Sequence, residues 1–189
     1  MAKEENELKC VSDDTKIIIL GTFPSKASRK KWFYHKSINQ FWKIMSIIFK
    51  NEEIKHLAKD DRKSSKKEKE LIEKRKNFLK SHRIGLWDVI KTCDIEGSLD
   101  SAIKNPEFND LANLKKECPN LKCICFSSQK AFKYYAQYLK TIKDEDILNW
   151  FEKMTDKEKH ILPSPSSANA RMTVEEKISQ WQKILYEFL

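Results

Sequence analysis

The feature that most constrains the fold is a series of short, β-branched apolar runs, each passing into a loop and separated from the next by helical or polar stretches. Residues 16–20, with Ile17, Ile18 and Ile19, are too few for a helix and too uniformly apolar for a half-exposed strand, and they stop at Gly21. Residues 84–89, 121–126 and 160–162 repeat the pattern, the last running into Pro163. Strand, helix, strand in this order implies a mostly parallel sheet covered by helices on both faces. At 189 residues the chain supports one substantial core, so residues 1–189 are expected to form a single domain.

The helices carry their own periodicity. Phe41, Met45, Ile48 and Phe49 recur at helical spacing, as do Val174, Ile178, Trp181, Leu185 and Phe188. Thr173 with Glu176 forms a capping-box pattern ahead of the second set. Residues 51–83 are dense in Lys, Arg and Glu around one narrow apolar stripe of Leu71, Ile72, Phe78 and Leu79. They read as an exposed helical excursion whose charges either solvate it or touch phosphates.

The glycines and prolines mark where a ligand is to be sought. Gly21 and Gly85 sit at strand edges, and Pro24, Pro163 and Pro165 lie in loops that follow strands. Ligands of open α/β sheets bind beyond the carboxyl ends of the strands, so loops 21–25 and 163–169 are expected to wall one cleft. Both are poor in charge and rich in hydroxyls and backbone donors, which suits a phosphate backbone at close range. Neither has the pattern of a P-loop or a dinucleotide fingerprint.

Charge and cysteines narrow the partners. Lys and Arg total 37 against 28 Asp and Glu, a net +9 that suits a polyanion such as nucleic acid. Five cysteines without a CxxC pair, and no leader or spanning segment at the N-terminus, suggest a reduced, cytoplasmic setting. Cys123 and Cys125 alternate in a strand and share one face, as core residues do. His35, His56, His82 and His160 form no ligand-spaced pair, so neither metal nor cofactor is expected.

Four blocks in order carry a resemblance: IIILGTFPS followed by NQFW, then GLWDVI with GSLDSAI, then LPSPSSANA. Spanning residues 17–171, they resemble the deoxyinosine (hypoxanthine-DNA) glycosylases of the uracil-DNA glycosylase superfamily. The resemblance implies a three-layer α/β/α sandwich with a short, mostly parallel central sheet. It also implies a monomeric, monofunctional hydrolase that flips a deaminated base, most often hypoxanthine, out of DNA and cuts its glycosidic bond. A uracil or G·U mismatch glycosylase on the same fold stays open, as does a non-catalytic DNA-binding module.

The resemblance assigns roles residue by residue. Gly21, Thr22, Phe23, Pro24 and Ser25 match the first superfamily motif, with Phe23 where other branches place Asp or Asn. Water activation then falls to Asn39, the Asn of NQFW, although Asn is equally at home at a helix start. Ser37 and Gln40 have capping-box spacing, which would put Asn39 in an exposed first turn. Between Phe23 and Trp42 the aromatics crowd together; Phe23 is the first choice to stack on an extruded base, with Tyr34 and Trp42 as further candidates.

Asp88 stands where the second motif reads the base, or simply caps a strand end. The LPSPSSANA loop resembles the superfamily's DNA-intercalation loop, in which backbone and hydroxyl groups compress the phosphates and a side chain fills the gap left by the base, and Ser164, Ser166 and Asn169 are its expected DNA contacts. The chain departs from the family at Ser25, at Ser127 and Ser128 after the third run, and at Lys36, Ser37 and Ile38 ahead of NQFW. These departures bear on base selectivity more than on the fold.

Overall fold

The computed structural model describes residues 2–58, 64–97, 100–155, 160–167, 169 and 171–189. Its centre is a parallel sheet of β2 (Ile17–Gly21), β3 (Ile84–Asp88) and β6 (Cys123–Phe126), in the order β3-β2-β6. Every residue of β2 is buried, which is why the sequence there is apolar on both faces.

Alternate residues address different layers. Ile17, Ile19, Cys123 and Cys125 pack with α2 (Phe41–Ile48), α3 (Ser65–Ser81) and α7 (Val174–Phe188). Ile18, Leu20, Ile124 and Phe126 pack with the short α4 (Leu114–Glu117), α5 (Gln129–Leu139) and α6 (Glu145–Met154) on the opposite face. The result is the α/β/α sandwich that the run pattern implies.

A second sheet was not foreseen. β1 (Ala2–Glu5), β4 (Ile90–Ile95) and β5 (Lys104–Phe108) pair antiparallel in the order β1-β4-β5. β4 follows β3 after one residue, Val89, so the chain passes directly from one sheet to the other. Strands with charged faces, such as KNPEF with Asn105 at φ 46°, lack the apolar alternation that would have revealed them.

The run at 160–162 is shorter than a strand: Ile161 makes one parallel bridge to Phe126. Two hydrogen bonds flank it, from the Phe126 amide to His160 O and from the Leu162 amide to Phe126 O.

At the helix starts one expectation holds and one is corrected. The Thr173–Glu176 capping box is formed as expected, and α7 buries Trp181 and Leu185 completely. Ser37 does not cap α2. Residues 36–39 close a turn through the Asn39 amide and Lys36 O, and Asn39 Oδ1 accepts from the Phe41 amide at 2.9 Å. Asn39 therefore lies ahead of α2, one residue before its N-cap Gln40, because the turn carries Ser37 away from the helix start.

The charged excursion is partly anchored. Leu71, Phe78 and Leu79 of α3 are buried, and so is Arg75. The Arg75 guanidinium lies 4.4 Å from the Trp42 ring centre, and its Nε donates to Ile54 O. Burial brings its pKa down to about 9.

Candidate active site

The carboxyl ends of β2 and β3 and the loops beyond β6 surround a cleft of about 650 Å³. Loops 21–25 and 163–169 line it together with Tyr34, Asn39 and Asp88, so nearly all the residues singled out in the sequence meet in one place. The volume lies in the usual range for small-ligand sites.

Its floor is built on Gly21, paired with Asp88 in the parallel register. A Cβ on Gly21 would lie 2.2 Å from Asp88 Oδ1 and 3.6 Å from the Tyr34 hydroxyl oxygen. Glycine is therefore required so that the carboxylate and the phenol can converge above the strand end. Asp88 is buried, and Asn6 Nδ2 donates to its Oδ2 at 3.2 Å. Its main-chain carbonyl accepts from Asn109 Nδ2. Asn6 is itself buried and is held beside β4 by its amide, which donates to Lys91 O.

Among the aromatic candidates, the structure separates wall from core. Tyr34 lines the cleft and stacks on Phe41 with centroids 4.1 Å apart and an interplanar angle of 11°. Phe23 borders the cleft but is largely buried in the core, with the Arg29 guanidinium 4.8 Å from its ring centre. Trp42, expected to touch the base, is fully buried instead: it stacks on Trp32, and its indole N–H donates to Phe33 O. It meets Phe41, the ring on which Tyr34 stacks, edge-on, because its place on α2 falls on the inward face.

Thr22 and Pro24 line the cleft, and the Thr22 carbonyl accepts from the Ile90 amide. The Ser25 hydroxyl caps α1 (Lys26–Lys30), accepting from the Ser28 amide. Ser128 caps α5 in the same way. These hydroxyls order the loops that hold the cleft.

The two walls are tied to each other. The Gln40 amide donates to Pro165 O at 2.8 Å. Lys177 of α7 donates from Nζ to Gln40 Oε1 at 2.9 Å and to Asn169 O at 3.0 Å. Burial lowers its pKa from the ordinary lysine value. Within loop 163–169 the Ser166 amide donates to Ser164 Oγ, and the Asn169 amide to Ser166 O.

Lys36, Lys130 and Arg171 add cationic groups at the cleft. Among the described residues, no group of three His, Cys, Asp or Glu is placed to hold a metal ion. None of the described helices is long and apolar enough to cross a membrane.

Asn6, Lys130, Arg171 and Lys177 escaped sequence reasoning. For Lys177 there was a signal: it stands three residues after Val174 and four before Trp181, so a charge falls on the apolar stripe of α7. Asn6 gave none, since its role depends on the unforeseen second sheet.

Fold and site together define an α/β/α protein with a cleft at the carboxyl ends of its parallel strands, the place where open α/β sheets take their ligands. More particularly, the chain belongs to the uracil DNA glycosylase superfamily, whose profile matches residues 8–189. It is 34% identical over 175 residues to a hypoxanthine DNA glycosylase of Methanosarcina acetivorans, covering 92% of each chain. A hypoxanthine DNA glycosylase of Methanosarcina barkeri is 33% identical over 125 residues, 66% of this chain and 70% of that one. A solution NMR structure of a candidate uracil DNA glycosylase from M. acetivorans superposes with a TM-score of 0.71, at 31% identity over 99% of both chains. The chain is thus a DNA glycosylase, a hydrolase of the bond between base and sugar.

Proposed function

We propose that this protein excises hypoxanthine from DNA, with Asn39 orienting the water, Asp88 reading the base and Tyr34 bordering it. The observation that carries the reading is the convergence of Asn39, Tyr34 and Asp88 on one cleft above Gly21. Two hypoxanthine DNA glycosylases at 33–34% identity support the choice of base.

The reaction is a hydrolysis. The bond between C1′ and the purine nitrogen breaks, the base departs with the bonding electron pair and takes up a proton, and water oxygen bonds to C1′ as it loses one. Departure ahead of attack leaves an oxocarbenium-like sugar, so an oriented water matters more than a strong base. An amide suits this, since Asn39 Oδ1 keeps a second lone pair beside its bond to the Phe41 amide, and Nδ2 carries two donors.

An ionised carboxylate only accepts hydrogen bonds. At Asp88 it would welcome the N1–H of hypoxanthine and repel the N1 lone pair of adenine, which separates the deaminated purine from its parent. Uracil also offers a ring N–H, so uracil excision is the second reading. Tyr34 offers a ring face already braced by Phe41. Ser164, Ser166 and Asn169, with Lys36, Lys130 and Arg171, would meet the phosphates on either side of the extruded nucleotide.

The reading extends to one glycosylase domain acting as a monomer in the cytoplasm. It is supported by the sheet that both apolar clusters share and by five cysteines, none of them in a disulfide.

The test is excision from oligonucleotides carrying deoxyinosine, deoxyuridine or deoxyxanthosine, single-stranded and opposite each base, with Asn39→Ala beside the wild type. Inosine excision that falls by about a hundredfold or more in the variant supports the reading, general catalysis of this kind contributing roughly 10²–10⁴-fold. Excision of uracil alone moves the assignment to the second reading. No excision by a folded, DNA-binding protein overturns it.

A further inference from the structure

A base leaves a duplex only if something takes its place in the stack, and proteins that open DNA commonly insert an apolar side chain there. Loop 163–169 is poorly equipped for that task, since the sequence from 164 to 170 offers nothing larger than proline or asparagine. The opposite wall offers more. Ile38 is 65% exposed and lines the cleft beside Asn39. The other large apolar side chains exposed among the described residues, Ile47, Tyr186 and Leu189, do not line it. Ile38 also borders a second hollow of about 400 Å³, between the turn and α3, so it forms the ridge between two depressions.

The backbone beneath this isoleucine is held unusually firmly for an exposed tip. The Asn39 amide donates to Lys36 O, closing the turn, and Asn39 Oδ1 holds the first amide of α2. His56 Nε2 lies 3.3 Å from Asn39 O, and its Nδ1 lies 3.3 Å from Arg75. On the far side, Gln40 is bound to Pro165 O and to Lys177. An apolar side chain on an anchored turn loses little conformational freedom when it enters an apolar environment.

We propose that Ile38 is the wedge of this enzyme: it enters the base stack as the target nucleotide turns into the cleft and fills the vacated space. This rests on the glycosylase reading and adds to it the residue that makes duplex DNA accessible. A wedge is needed where a base must be unstacked and unpaired, and much less where the strand is already single.

The experiment compares single-turnover excision of inosine from a duplex, opposite cytosine, with excision from the same strand alone, for wild type, Ile38→Ala and Ile38→Leu. The ratio of duplex to single-strand rate should fall on the order of tenfold in Ile38→Ala and recover in Ile38→Leu, since unstacking costs a few kcal/mol per step. In parallel, 2-aminopurine placed beside the inosine should brighten on binding wild type and Ile38→Leu, and remain quenched with Ile38→Ala.

An equal loss on both substrates, with normal 2-aminopurine brightening, would make Ile38 a shaping residue of the pocket and overturn the proposal. Unchanged rates on both would overturn it as well. If wild type leaves single strands uncut, the fluorescence decides in the same sense. Failure of wild type on every substrate is a different result, which removes the glycosylase reading itself.

Discussion

Gly21 and Asp88 meet at the ends of two parallel strands so closely that a Cβ on the glycine would sit 2.2 Å from the carboxylate oxygen Oδ1 and 3.3 Å from Cγ. The carboxylate cannot simply swing away, because Asn6 holds its other oxygen. Gly21→Ala should therefore displace the proposed base-reading group while leaving the sheet intact. We expect inosine excision to fall at least tenfold, with a stability loss of about 1–3 kcal/mol from overpacking. Circular dichroism with a urea melt checks the fold, and single-turnover kinetics checks the site. Wild-type rates in a folded Gly21→Ala protein would show that Asp88 has no part in the reaction.

Asn6, the residue that follows β1 and eleven positions ahead of β2, reaches across to Asp88. Its removal leaves a buried carboxylate oxygen short of a donor, a defect costing about 1–3 kcal/mol. Asn6→Ala should slow inosine excision several-fold through Asp88. The check is a double-mutant cycle with Asp88→Ala. Residues in one network are not additive, so the double variant should be no slower than Asp88→Ala alone. Losses that multiply would place Asn6 outside the Asp88 network.

These contacts show what was legible in the sequence. The parallel core was, because residues buried on both faces read as continuous apolar runs, and β2, β3 and β6 fall on three of the four runs. The fourth, at 160–162, is too short to pair beyond one bridge. The cleft was legible because Gly21, Pro24, Pro163 and Pro165 mark post-strand loops, and both loops do line it.

Trp42 was misplaced because the loop candidates around it drew it toward the cleft, whereas it stands three residues before Met45 and shares the buried face of α2. The antiparallel sheet, and Asn6 with it, was hidden by polar strands whose pairing is non-local. Arg75 and Lys177 are charges set on apolar stripes, and their burial depends on partners such as Ile54 O, Gln40 and Asn169 that sequence spacing cannot bring together.

Lys177 joins both walls of the cleft from beneath, through Gln40 Oε1 and Asn169 O. Lys177→Met keeps the length and apolar stem but removes the donors. Loops 36–40 and 163–169 should then move independently, and excision should fall about tenfold, with stability changing by about 1–3 kcal/mol as two acceptors lose their partner. Hydrogen exchange offers a direct reading: the Gln40 amide, bound to Pro165 O, should exchange faster in the variant. Unchanged protection at Gln40 would mean that the walls do not depend on Lys177.

On the same face of the sheet as α2 and α7, Cys123 Sγ lies 3.4 Å from Cys125 Sγ and 3.4 Å from His160 Nδ1. The Cys125 thiol supports the Cys123 thiolate most strongly, and with help from His160 it brings the Cys123 pKa down from 9.0 to about 7 against the opposing effect of burial. Cys125 is itself pushed well above 9.0 by the same bond and by burial. Between pH 7 and 9 the unfolded chain therefore holds more protons at Cys123 than the native one does, and stability from this group rises with pH across that window. It is fully present above 9.0 and is lost as pH falls through about 7. The opposing change at Cys125 lies above the window. Cys125→Ala removes the main support of the thiolate, so the gain in urea-unfolding free energy from pH 7 to 9 should shrink relative to wild type, in reducing buffer. Thiolate absorbance in the ultraviolet should shift to higher pH in the same variant. Parallel pH profiles for the two proteins would show that the sulfur pair carries no linked proton.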